Sequence, residues 1–212
     1  MGVLDFLRRR RSVCDVQGLG AFIDGRAAFL VQKGMYEYSR ARSGHYAKVL
    51  MSEPAFMAAM DRSRWSAFPL GLAMVAEAAE GVLTVQGGPP RGEIVDGLRA
   101  LVLDLFDRYQ RPGGIDQSTW LELREELAQR LAQIGLHARK HVKDIPLPFV
   151  ERYFNLVPID AALRKPDFDA IRNYLRVSLV NIHDDLARSI DVRAVAAALA
   201  ARTERARPVT RG

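Results

Sequence analysis

Residues 68–83 carry only two charged side chains, Glu77 and Glu80. Coiled into a helix, this stretch is apolar or small around nearly its whole circumference. Such a helix has no wet face of its own, so it belongs at the centre of a larger group of helices. That requirement constrains everything else: the rest of the chain must supply enough amphipathic helix to surround one that cannot face water.

The remaining sequence meets the demand. Residues 90–110 set Ile94, Leu98, Leu101, Leu105 and Tyr109 on one face, with Asp96, Arg99, Asp107 and Arg108 beside or away from it. Recurrence every three to four residues is the helical period. The next helix carries Trp120, Leu123, Leu127, Leu131 and Ile134, and Thr119 with Glu122 has the spacing of a capping box at its start. A later helix begins near Pro166-Asp167 and continues through Phe168, Ile171, Leu175, Leu179, Ile182 and Leu186. Asp191 is placed to cap a last helix bearing Val192, Val195 and Leu199. Residues 22–43 read as helix despite Gly25 and Gly34, and Ser52-Glu53-Pro54 is a helix start for residues 54–63. Glycine and proline interrupt the pattern at residues 86–90, 111–114 and 144–148. No segment alternates polar and apolar residues over several positions. The expectation is an all-α fold, a compact bundle of about seven to eight helices with little or no sheet.

A chain of 212 residues suffices for one full-sized core. Its net charge of +6 sits at the ends. Residues 1–12 carry four Arg against one Asp, residues 202–212 carry four Arg against one Glu, and the stretch between is balanced. The expected organisation is a basic, flexible N-terminal segment over residues 1–20, a single helical domain over 21–201, and a basic flexible tail over 202–212. Cys14 is the only cysteine, which excludes an internal disulfide and a cysteine-based zinc site and fits a reducing cytoplasm. No uninterrupted apolar run approaches the roughly 20 residues of a bilayer span. The N-terminus places its short apolar part before its arginines, the reverse of a secretory signal. Phe6 also stands where a myristoylation signal requires Ser or Thr. Phe6, Leu7, Arg8, Arg9, Arg10 and Arg11 form a short apolar turn with a basic flank, a candidate for contact with an anionic membrane surface. The expected location is cytoplasmic, with a peripheral position at the inner face of a membrane as a variant. The basic tails suit nucleic acid as well.

Among the histidines, His137 and His141 are four apart, which on a helix would let two imidazoles share a metal. Ala138 stands where the zinc-protease pattern requires glutamate, and Arg139, Lys140 and Lys143 would repel a dication. His183-Asp184 has the doublet of the HD phosphohydrolases, without a suitably placed downstream aspartate. No glutamate has histidine three residues on, as a di-metal carboxylate bundle needs. Glu77 and Glu80 are expected to pair with arginine on a neighbouring helix or to mark the wet edge of the central one. There is no Gly-x-Ser-x-Gly elbow and no Walker lysine. No cofactor and no metal are expected.

The segment that stands out is the run from residue 36 to 65. It interleaves Tyr36, Tyr38, Arg40, Arg42, His45 and Tyr46 and then adds Arg62, Arg64 and Trp65. Tyrosine, tryptophan and arginine supply most anchors of protein interfaces. The same residues can stack bases and hold phosphates, or tyrosines can close a core while arginines pair locally.

Residues 123–163 run from Leu123-Glu-Leu-Arg-Glu through Gln133-Ile-Gly-Leu136 and a basic stretch to Phe149-Val-Glu-Arg-Tyr-Phe154. This order resembles the ubiquinol–cytochrome c chaperone family, all-helical assembly factors for a respiratory complex. The family's Val-Pro-Asp-Thr segment is not present; residues 61–68 read DRSRWSAF in that region, and no functional residue is carried over. The resemblance implies an assembly role. The leading expectation is a non-enzymatic interaction or assembly-factor protein whose partner is another protein. A metal-dependent hydrolase using His137, His141, His183 and Asp184 is the first alternative, and a nucleic-acid-binding protein is the second.

Overall fold

The computed structural model describes residues 13–206. Among these, seven helices of seven residues or more make up the body: α1 (Val16–Ser43), α2 (Pro54–Leu83), α3 (Arg91–Asp107), α4 (Gln117–Gln133), α5 (Val150–Leu156), α6 (Phe168–Ser189) and α7 (Val192–Ala206). Single helical turns at Ala47–Leu50 and Ala161–Arg164 lie in the connections. The described residues form no strand, only an isolated parallel bridge between Val13 and Ile190. The fold is all-α.

Residues 54–63 and 68–83 do not form separate helices. They are one helix of 30 residues with Pro69 inside it. An internal proline costs a helix roughly 3 kcal/mol. Here burial outweighs that cost, because α2 packs against each of the six other helices. Residues 67–80 are buried without interruption, as the charge-poor sequence requires. By length and composition alone α2 could cross a bilayer, but 83% of its apolar window lies inside this body.

The other helices turn their apolar stripes inward as the periodicity predicts: Leu98 and Leu101 of α3, Leu123, Leu127 and Leu131 of α4, and Leu175, Leu179 and Leu186 of α6 are all buried. Two starts differ from the sequence reading. Helix α4 begins before Thr119: Asp116 is its cap, accepting from the Thr119 backbone N–H at 2.8 Å and from the Thr119 hydroxyl at 2.9 Å. Its carboxylate, held low at about 2 by those bonds and by the Ser118 hydroxyl, takes the role the capping box gave to Thr119. Helix α1 likewise begins well before residue 22, capped by Asp15 through the Gly18 N–H at 2.7 Å. Ahead of it Val13 is buried, donates to the Ser189 carbonyl and accepts from the Asp191 N–H at 2.8 Å. The helical body thus includes residues 13–20, placed by sequence in a flexible segment, because Val13 is tied to the α6–α7 junction. At that junction Asp191 accepts from the Ala194 N–H at 3.1 Å, the expected cap of α7. The candidate membrane residues Phe6, Leu7, Arg8, Arg9, Arg10 and Arg11 lie outside the described residues.

Close approach between α3 and α7 depends on Gly97. A Cβ there would sit 2.8 Å from the Leu199 carbonyl oxygen, a backbone atom that cannot swing away. Gly81 of α2 is the opposite case, with nothing within 4 Å of where a Cβ would stand. Gly97→Ala is therefore expected to destabilise the protein by about 1–3 kcal/mol through overpacking. Gly81→Ala is expected to stabilise it by about 0.5–1 kcal/mol through reduced chain entropy. Urea unfolding of the two variants reads both signs.

Candidate interaction surface

Residues seven apart on a helix lie two turns apart and drift by only about 20°. On α1 this spacing aligns Phe22, Phe29 and Tyr36, and it aligns Arg26, Lys33 and Arg40, each four residues after a ring. The Arg26 guanidinium lies 5.3 Å from the Phe22 ring centre, and the Lys33 ammonium 5.1 Å from that of Phe29. Phe29 is 53% exposed and Tyr36 39%. From Phe29 to Arg40 the outer face of α1 is therefore a ridge of alternating rings and cations, about 17 Å long at 1.5 Å per residue. Phe22 packs partly against the core, and Arg26 pairs with Asp185 at 2.9 Å.

A cleft lies on each side of the ridge. Between α1 and α2, a cleft of about 250 Å³ is lined by Met35, Met57, Met60 and Tyr36, with Gln32, Asp61 and Arg64. Between α1 and α6, another of about 240 Å³ is lined by Lys33, Glu37, Tyr38, Tyr153, Ile171 and Tyr174, among others. Gly34 makes the second packing feasible, since a Cβ there would fall 2.3 Å from the Tyr153 hydroxyl. With no Cβ in the way, the Tyr174 and Tyr153 hydroxyls donate to the α1 carbonyls of Leu30 and Val31, at 2.8 and 3.3 Å.

The Tyr/Arg segment divides into two sets. Tyr38 is half-buried and donates to the Asp167 carboxylate at 2.8 Å. Arg42 donates to the Leu163 carbonyl at 2.9 Å and lies 3.4 Å from Asp167. These two fasten the end of α1 to the connection before α6. Trp65 packs edge-on against Phe68, Tyr109 and Trp120, with ring centres 5.8, 5.3 and 6.0 Å away. Arg64 covers the Trp65 ring and pairs with Asp61 at 2.6 Å. Facing outward are Tyr36, Arg40, which pairs with Glu37 at 3.1 Å, and Arg62. His45 and Tyr46 are also exposed, on the turn Gly44–Tyr46, Tyr46 to 78%. The sequence reading did not single out Phe29, Lys33 and Met57, although the seven-residue recurrence of 22, 29 and 36 was available to it.

His137 and His141 do not share a helix face. The chain from residue 137 to 141 is non-helical, and His137 and His141 both have extended backbone. What fixes this segment is the pair of carboxylates on α2. Glu77 is buried and lies 2.9 Å from the Lys140 ammonium and 3.7 Å from His137 Nε2. Glu80, only 2% exposed, accepts from Arg91 at 2.7 Å and from the Thr84 hydroxyl at 3.0 Å. Arg91 also donates to the carbonyls of Ile134 and His137, at 2.9 and 2.7 Å. Glu80 thus pairs with an arginine on a neighbouring helix, as one of the two expectations had it, whereas Glu77 pairs with a lysine outside any helix; both carboxylates are buried and not at a wet edge. His183 contacts its neighbour Asp184 at 3.2 Å. Among the described residues, no three His, Cys, Asp or Glu side chains are grouped to hold a metal ion.

No protein-family model, no curated protein and no solved structure matches this chain.

Two measurements follow. Arg91→Ala leaves Glu80 buried without its cation and is expected to cost about 3–5 kcal/mol, read by urea unfolding at neutral pH. An unchanged midpoint would mean that the pair does not hold the 134–141 segment. The tyrosines give a pH signature. Burial, then a hydrogen bond to a carboxylate, pushes the Tyr38 and Tyr109 hydroxyls from 10.0 up to about 12. Above the unfolded value the native state holds protons that the unfolded chain has lost. Stability should thus be intact below pH 10 and fall as pH rises towards about 12. Tyr38→Phe should make the fall shallower in unfolding measured across that window.

Proposed function

We propose that this protein is a non-enzymatic interaction or assembly factor, and that it presents the α1–α2 surface to another protein. The observation that carries the reading is the pair of outward rings at Phe29 and Tyr36 on a ridge with a cleft on either side, with Tyr46 exposed on the turn that follows α1. Exposed aromatic side chains beside clefts are the composition of interface hot spots, where a ring from one partner fills a pocket in the other. Arginine and lysine along the same face add orientation and encounter rate. The resemblance of residues 123–163 to ubiquinol–cytochrome c chaperones points the same way, towards assembly.

The division of the Tyr/Arg segment makes the reading testable. Tyr36→Ala with Tyr46→Ala removes outward rings and should reduce capture of the native partner about tenfold or more, with the melting temperature unchanged. Tyr38→Ala removes a ring whose hydroxyl bonds Asp167 and should lower the melting temperature instead. The measurement is affinity capture from the native cell alongside thermal melts of each variant. Equal capture by the wild-type chain and the Tyr36/Tyr46 double variant would refute the proposal.

A further inference from the structure

We infer that the cleft between α1 and α6 is a binding site for a small, uncharged, largely hydrocarbon molecule, about the size of two fused rings. The inference goes beyond the protein-interaction reading and does not depend on it. Residues from three helices form the walls: Gly34 and Tyr38 of α1, Tyr153 of α5, and Ala170, Ile171 and Tyr174 of α6. The cleft reaches inward, because Tyr153 and Ile171 belong to the core while Ala170 is exposed. Three tyrosines would make such a wall polar if their hydroxyls were free, but these are committed elsewhere. Tyr38 donates to the Asp167 carboxylate at 2.8 Å, Tyr174 to the Leu30 carbonyl at 2.8 Å and Tyr153 to the Val31 carbonyl at 3.3 Å. Each hydroxyl proton goes to a protein acceptor, so the wall offers a visitor ring and aliphatic carbon.

The charges at the cleft are one of each sign, Lys33 and Glu37. The Lys33 ammonium lies 5.1 Å from the Phe29 ring centre, and Glu37 pairs with Arg40 at 3.1 Å, so both side chains engage groups on the outer face of α1. With the two signs balanced, neither a cationic nor an anionic ligand gains a net partner. A charged group drawn inside would give up its water and find nothing to replace it. Size narrows the class further. The volume is about 240 Å³, and an apolar cavity of about 150 Å³ already holds one benzene. A phenylalanine ring from a partner protein would leave part of this cleft empty, which favours a free molecule with about two rings as the occupant. Removal of its apolar surface from water is what would hold it there.

The test is a fluorescence titration of naphthalene with the full-length protein, with 2-naphthoate and 2-naphthylmethylammonium as charged counterparts of the same ring size. The expected result is saturable binding of naphthalene, with each ion weaker by about tenfold or more. Ala170→Phe places a ring in the cleft from an exposed position and should weaken naphthalene by about tenfold or more, with thermal melts showing the variant folded. Should that variant not fold, Ala170→Leu replaces it with the same expectation. Met57→Lys alters the separate cleft between α1 and α2 and should leave the affinity unchanged. Absence of saturable binding, or an ion that binds as tightly as naphthalene, overturns the inference. So does undiminished binding to the folded position-170 variant, or loss of binding through Met57→Lys.

Discussion

Burial of the C-terminal half of α2 organises the molecule. Residues 67–80 are out of solvent, and each of the other six helices contacts the helix that carries them. The apolar surface removed from water there is the main source of stability, and it is large enough to keep a proline inside a 30-residue helix. The same burial creates a problem, because Glu77 and Glu80 go into the interior with it. A buried carboxylate is tolerated only with a partner charge and satisfied hydrogen bonds. Lys140 supplies one for Glu77, and Arg91, at the start of α3, supplies one for Glu80.

That ionic need explains the path of the chain after α4. After the helical turn Ile134–Leu136 the chain extends over residues 137–141, where Lys140 reaches Glu77, and Arg91 holds the carbonyls of Ile134 and His137. One guanidinium thereby satisfies a buried acid and two backbone acceptors beyond the end of a helix, groups that otherwise lack partners. The histidines whose spacing suggested a metal pair lie at the two ends of residues 137–141, which are extended and not helical.

The outer surface follows from the same arrangement. Helix α1 lays Leu19, Ile23, Leu30, Val31 and Met35 against the body, and no other helix covers its opposite face at Phe29, Lys33, Tyr36 and Arg40, which are exposed. What it holds is Phe29 and Tyr36 with Lys33 and Arg40, in a position where charged residues alone would be ordinary. Tyr38, two residues from Tyr36, points to Asp167 instead. A rotation of roughly 200° between those positions is all that separates a ring that ties the fold together from one that faces outward.

The all-α class, the central helix and the inward stripes of α3, α4 and α6 were legible in the sequence, because helical periodicity is a local property and the two charges in residues 68–83 leave such a helix nowhere else to go. The union of residues 54–83 was not legible, since proline argues locally for a break and only packing against six helices overrides it. Nor was the tie between Val13 and Ile190, which joins residues far apart in the chain. For the candidate surface, the sequence determined the residue types between 36 and 65. The tertiary structure decided which of them face outward, added Phe29, Lys33 and Met57, and placed clefts beside them. Exposure depends on which helices lie alongside, and that is set by the whole chain's burial of α2, not by the spacing of tyrosines and arginines along α1.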